Sequence, residues 1–135
     1  VVLLSDINKF ETNTDILIVD SYGKSLIFYN ISKYVFLGKS LIETLENDSG
    51  QNPIEPARLG CKIFHGAHVS NFIEIYNYFR TLNISKEIEG CKELGLALID
   101  EFREDKEKNY KITEKIEDYG HNILNNVIIE LKKYI

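Results

Sequence analysis

Residues 49–72 read SGQNPIEPARLGCKIFHGAHVSNF and place a glycine, an amide and a carboxylate around a proline, just before a short apolar run. The Asn-Pro pair suits the start of a helix, because Asn caps helices and Pro fits their first position. Gly60 follows as a favourable residue at the end of that helix. CKIFHG then has the length and composition of a buried strand, and AHVSN is a second polar turn. The stretch predicts a short helix followed by a strand.

Strand-length and helix-length segments alternate on both sides of this stretch. VVLLS (residues 1–5) and DILIVD (residues 15–20) are continuous apolar runs, as expected for strands buried on both faces of a sheet. The other predicted elements are a helix in KSLIFYNIS, a strand in YVFLG, a helix in NFIEIYNYFRTL with Asn71 and Glu74 as a capping box, a short strand in ISKEIEG, a helix in KELGLALIDEFRED, and a long amphipathic helix with an apolar stripe from Ile116 to Leu131. This alternation predicts an α/β fold, a Rossmann-like parallel sheet with flanking helices.

The composition is that of one globular domain: 135 residues, 44% hydrophobic and 27% charged, with a net charge of −5. This acidic balance argues against nucleic-acid binding, which depends on basic patches. Cys61 and Cys91 are too few for a disulfide framework and are predicted to be reduced and packed. His65 and His68 have no third ligand nearby, so we expect polar loop residues and no metal. The absence of a membrane-spanning run favours a cytosolic setting.

Three loops, Ser21–Lys24, Gly38–Asn52 and Gly66–Asn71, lie where parallel α/β sheets bind ligands, beyond the carboxyl ends of strands. DSYGKS places Gly23 and Lys24 at a helix start, where free N–H groups favour an anion, and FLGKSL repeats the pattern with Gly38 and Ser40. In SGQNPIEP, the Glu55 carboxylate can accept hydrogen bonds from the vicinal hydroxyls of a ribose. These loops predict a nucleotide site.

A purely structural interpretation stands beside this one for each residue. Asn52 and Pro53 are more often a plain helix start than a ligand site. Glu55 can simply complement the helix dipole, and the glycines can simply form turns. From the residues alone, the chain is predicted to be half of a nucleotide-binding α/β protein.

The order of these motifs resembles the C-terminal part of the 3-deoxy-D-manno-octulosonic acid (Kdo) transferases of lipopolysaccharide synthesis. That family shows Asp-Thr-Met-Gly-Glu-Leu, then a Tyr, Phe-Val-Gly-Gly-Ser-Leu, Gly-Gly-His-Asn-Pro-Leu-Glu and Gly-Pro-His followed by Asn-Phe. The corresponding residues here are Asp20, Gly23, Tyr29, Phe36, Gly38, Ser40, Leu41, Gly50, Asn52, Pro53, Glu55, Gly66, His68, Asn71 and Phe72. The match covers residues 15–82.

The resemblance implies a specific site and fold. The chain would be the C-terminal half of a GT-B glycosyltransferase, a nucleotide-sugar domain over residues 1–135 that binds the CMP of CMP-Kdo without a cofactor or metal. The implied nucleotide contacts are Tyr22, Gly23, Lys24, Asn52, Pro53, Ile54 and Glu55, and the implied supporting residues are Gly38, Ser40, Gly50, His68 and Asn71.

The sequence departs from the family pattern at several points. Lys24 stands where the family has Glu, Lys39 replaces a Gly, Gln51 a His and Ala67 a Pro. A side-chain role carried over to Lys24 is therefore open, whereas a backbone role there is unaffected. The loop between Ser40 and Gly50 is a few residues longer than in the family.

The resemblance also implies that the catalytic base and the surface for the lipid A precursor lie in an N-terminal domain, together with any association with the cytoplasmic face of the inner membrane. The chain holds no Met and opens in a strand-like run, which favours a C-terminal piece that is incomplete at its N-terminus and inactive by itself. The alternatives are another GT-B enzyme, such as a UDP-sugar transferase or epimerase, and a non-catalytic nucleotide-binding remnant of a split gene.

Overall fold

A computed structural model describes residues 1–6, 13–43, 50–104, 108 and 111–134. Within these ranges the strands are β1 (Val2–Leu3), β2 (Leu17–Ile18), β3 (Tyr34–Phe36), β4 (Lys62–His65) and β5 (Ser85–Glu87). The helices are α1 (Ser25–Ile31), α2 (Ile54–Arg58), α3 (Ile73–Thr81), α4 (Cys91–Glu104) and α5 (Lys111–Leu131), with short 3-10 turns at Leu4–Asp6 and Ser70–Phe72. The predicted α/β fold is confirmed.

Every described strand pair is parallel, as predicted, but the strands form two sheets. Strands β1 and β2 pair with each other, and β3, β4 and β5 form a second sheet in that order. In the second sheet, Val35 lies opposite Ile63, and Ile63 lies opposite Ser85. The predicted parallel pairing flanked by helices is confirmed, and among the described residues β3 pairs only with β4.

Two adjacent residues of β4 divide the core into two layers. Ile63 and Phe64 are both fully buried and, as neighbours in a strand, face opposite sides of the sheet. Ile63 packs in one cluster with Ala57 of α2, Tyr76 and Phe79 of α3, and Ile116 of α5. Phe64 packs in another cluster with Ile88 and with Ala97 of α4. The three-stranded sheet is thus covered on both faces, the arrangement expected of a parallel sheet.

The first sheet does not share this burial. Ile16 and Ile18 remain 54% and 47% exposed, and Val1 and Leu3 are exposed as well. The prediction that residues 1–5 and 15–20 are buried on both faces is therefore wrong. The core clusters of the described residues form around the second sheet and leave this pair of strands outside them.

Three local predictions have mixed outcomes. Gly60 follows α2 with φ +76°, the left-handed conformation that glycine adopts at a helix end. The predicted capping box at Asn71 is wrong, because α3 begins after Phe72 and has no side-chain cap. The preceding turn is instead closed by the Phe72 N–H, which donates to the Val69 carbonyl at 2.9 Å. Both cysteines are free as predicted, but Cys91 is exposed rather than packed.

Candidate functional site

Ser40 is fully buried just beyond β3 and joins the loops that follow β3 and β4. Its hydroxyl donates to the Leu37 carbonyl at 2.7 Å and accepts from the Gly66 N–H at 2.9 Å. Its carbonyl accepts from the His68 N–H at 2.9 Å. The two loops are therefore held together at the carboxyl edge of the sheet, where the sequence predicted a ligand site.

Gly50 brings the chain back to this edge ahead of α2. Its N–H donates to the Lys39 carbonyl at 3.0 Å, and its φ of +78° lies in the left-handed region. A Cβ on Gly50 would lie 3.1 Å from the Cα of Val69. Residues 44–49, which include most of the longer loop noted in the sequence, lie outside the described residues. Gly50 thus has a steric as well as a conformational reason to be glycine.

Asn52 and Pro53 start helix α2. The Asn52 side-chain oxygen accepts from the Ile54 N–H at 3.0 Å, and the Pro53 carbonyl accepts from the Ala57 N–H at 3.2 Å. Pro53 is buried and Ile54 is half-buried, whereas Asn52 and Glu55 are exposed. The Asn-Pro pair therefore starts the helix, as its purely structural interpretation predicted. The Glu55 carboxylate in the first turn is exposed and accessible to a ligand.

Tyr22, Gly23 and Lys24 form an exposed turn ahead of α1. Gly23 has φ +76°, and Lys24 occupies the cap position of α1 without a side-chain hydrogen bond to the helix. The preceding motif residue, Asp20, accepts hydrogen bonds from the backbone N–H and the hydroxyl of Ser5. The hydroxyl bond lowers the pKa of the Asp20 carboxyl below its ordinary value. Asp20 thus ties β2 to the turn after β1.

Helix α1 packs against α2, and one lysine joins their C-terminal ends. Lys108 Nζ donates to the carbonyls of Tyr29 and Asn30 in α1, at 2.6 and 2.7 Å, and to that of Leu59 at 3.2 Å. The Cys61 thiol also contacts the Tyr29 carbonyl at 3.2 Å. The two turns that carry the predicted contacts lie at the N-terminal ends of α1 and α2. Because Lys108 joins the C-terminal ends of these helices, it contributes to the relative position of the two turns.

Tyr29 is close enough to Glu55 to respond to its charge, and the sequence indicated no separate role for it. Burial and then the charge of the Glu55 carboxylate raise the pKa of the half-buried Tyr29 hydroxyl. A phenol that stays protonated is a hydrogen-bond donor, and a carboxylate is an acceptor. The signal for Tyr29 was its place in the family motif.

The sequence suggested that His65 is a polar loop residue. In the structure it is fully buried at the end of β4. Its Nδ1 lies 2.7 Å from the Gly66 carbonyl and therefore carries the hydrogen, while its ring packs 4.2 Å from that of Tyr76. Nε2 is buried without a partner among the described residues. Burial lowers the pKa of His65. The predicted strand CKIFHG includes His65 and is confirmed, so the error lies in the interpretation of His65 as a polar residue, since this strand is buried through its last residues.

Tyr76 connects this histidine to the turn ahead of α2. Its hydroxyl donates to the Gln51 carbonyl at 3.0 Å, and burial raises its pKa far above the ordinary value. The sequence placed Tyr76 on the apolar face of α3 but gave no sign of this hydrogen bond. Tyr76 thus helps to position the residues before Asn52.

The remaining supporting residues divide into two groups. Gly38 and His68 are half-buried in the loops joined by Ser40. Asn71 is exposed in the 3-10 turn before α3. The structure therefore brings Ser40, Gly50 and His68 together through the backbone of Lys39 and Ser40, whereas none of these hydrogen bonds includes Asn71.

Two concave features lie outside the loops at the carboxyl edge, although the predicted contact Ile54 lines one of them. A cavity of about 270 Å³ lies at the opposite edge of the sheet, lined by residues such as Tyr34, Lys62, Asn83 and Lys108. A groove of about 540 Å³ lies between α2, α3 and α5, lined by Ile54, Ile75, Phe79, Ile116 and Leu124 among others. Neither is formed by the carboxyl-edge loops.

Over the described ranges, no three His, Cys, Asp or Glu side chains are grouped in a way that could hold a metal ion. Among the helices that the structure describes, none is long and apolar enough to cross a bilayer.

The fold and the carboxyl-edge loops define an α/β domain of parallel strands, compatible with a Rossmann-like half of a GT-B protein. Comparison with known proteins points to a particular family. The chain is 35% identical over 83 residues to the 3-deoxy-D-manno-octulosonic acid transferase of Haemophilus influenzae, a match that covers 62% of this chain and 17% of that protein. No family model matches the chain. The predicted resemblance to the Kdo transferases is confirmed as a similarity over part of the chain.

Proposed function

We propose that this chain binds the donor nucleotide, CMP-Kdo, in the transfer of Kdo to a lipid A precursor. The single observation that carries the proposal is the sequence similarity to a Kdo transferase. That similarity spans less than a fifth of the relative's length, so the reaction, the donor and the acceptor are all part of the proposal.

The geometry of the carboxyl edge supports a nucleotide at this position. Glu55 is exposed in the first turn of α2, where its carboxylate can accept hydrogen bonds from ribose hydroxyls. The turn at Tyr22, Gly23 and Lys24 offers exposed backbone N–H groups and a cation toward a phosphate. Gly50 and Tyr76 support the contacts at residues 52–55, because their hydrogen bonds to the Lys39 and Gln51 carbonyls position the chain just before Asn52.

In this proposal the chain contributes orientation rather than proton transfer. Binding the nucleotide holds the donor's anomeric carbon where an acceptor hydroxyl can reach it, and positioning of this kind accounts for a large share of enzymatic rate enhancement. The lysine at position 24 stabilises the departing CMP phosphate as negative charge develops on it. The base, the acceptor surface and contact with the inner membrane's cytoplasmic face belong to another part of the enzyme, and the chain alone is expected to transfer no Kdo.

Calorimetric titration of the chain with CMP, UMP and UDP tests the donor class. We expect weak binding of CMP and weaker binding of UMP and UDP. Tighter binding of UDP than of CMP would contradict the proposal and favour a UDP-sugar enzyme. Failure of all three nucleotides to bind would contradict a nucleotide-binding role for the chain, both in an enzyme and in a remnant.

Glu55→Ala tests the proposed ribose contact. Losing charge-assisted hydrogen bonds should weaken CMP binding by about 1–3 kcal/mol. Glu74→Ala is the matched control, because Glu74 is an exposed acid in the first turn of the neighbouring helix α3. Equal affinities for the two variants would count against a role for Glu55.

A further inference from the structure

One backbone N–H in the loop after β4, that of Ala67, has no acceptor among the described residues. The N–H groups on either side of it are both engaged by Ser40. Gly66 N–H donates to the Ser40 hydroxyl and His68 N–H donates to the Ser40 carbonyl, each at 2.9 Å. Ala67 itself is exposed. The loop is therefore fixed on both sides of a peptide group whose donor is unused.

The buried ring of His65 sets the direction of this donor. His65 Nδ1 donates to the Gly66 carbonyl at 2.7 Å, and Nε2 has no partner among the described residues. The Gly66 carbonyl and the Ala67 N–H belong to one peptide group, and none of the described peptide bonds is cis. In a trans peptide the carbonyl and the N–H point in opposite directions. Because the carbonyl points at a fully buried ring, the Ala67 N–H points away from that ring and out of the core.

An outward backbone N–H at the carboxyl edge is suited to an anionic oxygen. Loops bind phosphate groups through backbone N–H donors, and such hydrogen bonds are strengthened by the charge of the acceptor. The family pattern noted in the sequence has Pro where this chain has Ala67, and proline carries no N–H. The donor is thus a feature of this chain that the family resemblance does not imply.

We propose that the Ala67 N–H is a phosphate-binding donor, with His65 as the positioning residue that holds its peptide group. The inference rests on the proposed function, in which the ligand at the carboxyl edge is a nucleotide and Ala67 binds an oxygen of its phosphate. It gives a reason for a buried histidine at the end of β4, because the described hydrogen bond of that side chain is the one that orients this peptide.

Titration of the 15N-labelled chain with inorganic phosphate tests the donor without a nucleotide. We expect the Ala67 amide signal to move with added phosphate more than the signals of Gly66 and His68, whose N–H groups already bind Ser40. Sodium chloride at the same ionic strength is the control. An Ala67 signal that moves no more than its two neighbours, or equally in chloride, would overturn the proposal.

Two substitutions of Ala67 test the contact with the nucleotide. Ala67→Pro removes the N–H and should raise the dissociation constant of CMP roughly tenfold, whereas Ala67→Gly keeps the N–H and should leave it unchanged. The family pattern has Gly-Pro at this point and the N–H has no described hydrogen bond to lose, so we expect the loop to accept proline. Cytidine, which lacks the phosphate, should bind both variants equally. Equal CMP affinities of the two variants, or the same loss for cytidine, would overturn the proposal.

Substitution of His65 tests the positioning role. Leu has no donor, whereas the side-chain amide of Asn can donate to the Gly66 carbonyl in place of Nδ1. His65→Leu should reduce the response of the Ala67 signal to phosphate, and His65→Asn should restore it. A full response in His65→Leu would overturn the positioning role. The Ala67 variants test the donor independently of how these core substitutions fold. A phosphate response without any binding of CMP would support the donor and contradict the proposed function.

Discussion

Ser40 and Gly66 are in contact through both side chain and backbone. The Gly66 N–H donates to the Ser40 hydroxyl at 2.9 Å, and a Cβ on Gly66 would lie 2.1 Å from the Ser40 carbonyl oxygen. The loops after β3 and β4 can approach this closely only because residue 66 has no side chain. The geometry of the candidate site therefore depends on a glycine that does not itself face the ligand.

Gly66→Ala should destabilise the domain. The clash is with backbone, which cannot rotate away as a flexible side chain can, so we expect a loss of about 2–3 kcal/mol in the free energy of unfolding, the upper part of the range for overpacking. Denaturant unfolding followed by circular dichroism measures it. Gly95→Ala in α4 is the matched control, since its Cβ would meet nothing within 4 Å, and should stabilise by about 0.5–1 kcal/mol. Similar effects of the two variants would contradict the steric argument.

Lys39 has a φ of 58°, in the left-handed region that favours glycine, which is the residue that the family resemblance implies at this position. A side chain in the left-handed region costs about 1 kcal/mol or more relative to glycine. Lys39→Gly should therefore raise the free energy of unfolding by about 0.5–1 kcal/mol after glycine's own entropic cost. Lys39→Ala keeps the Cβ and should give no such gain. If both variants change stability equally, the lysine side chain rather than the backbone conformation is responsible.

His65 should make the domain less stable in acid. Its folded-state pKa is lowered by burial from an ordinary value of 6.5, so the unfolded chain binds a proton that the folded chain excludes. The free energy of unfolding should be highest above pH 6.5 and fall as the pH drops below it, by at most about 1.4 kcal/mol per pH unit from this residue.

Unfolding of His65→Phe and of His121→Gln across this pH range checks the assignment. The free energy of unfolding of His65→Phe should depend less steeply on pH than that of the wild type. His121→Gln, in which an exposed histidine is replaced, should show the wild-type dependence. A slope that is unchanged in His65→Phe would assign the acid sensitivity to other groups.

The two thiols should differ in reactivity. Burial raises the pKa of the Cys61 thiol, with Lys108 opposing that rise, and thiolate is the reactive form. Cys91 is exposed at the start of α4. A thiol reagent should therefore label one site rapidly in the folded chain, and Cys91→Ser should abolish that rapid phase. Rapid labelling that persists in Cys91→Ser would show that Cys61 is accessible.

Much of the local structure follows from the order of residues alone. The alternation of apolar runs and helical stripes predicted each described strand and helix to within a few residues, because both periodicities are properties of the chain itself. Gly60 was predicted to end a helix and Gly23 to form a turn, and both have positive φ. Ser40 and Gly50 also lie in loops at the carboxyl edge, because loops of parallel sheets follow strand ends, while their role toward a ligand stays a prediction.

Contacts between distant residues required the folded structure. The hydrogen bond from Gly66 to Ser40 joins residues 26 positions apart, and that from Tyr76 to Gln51 joins residues 25 positions apart. No local pattern encodes such partners, because they depend on how strands and helices pack. The same reason explains the errors: His65 was assigned to a loop, Cys91 to the interior and β1 to a fully covered strand. Sequence periodicity indicates which residues can be buried, whereas burial itself depends on whether another element covers them.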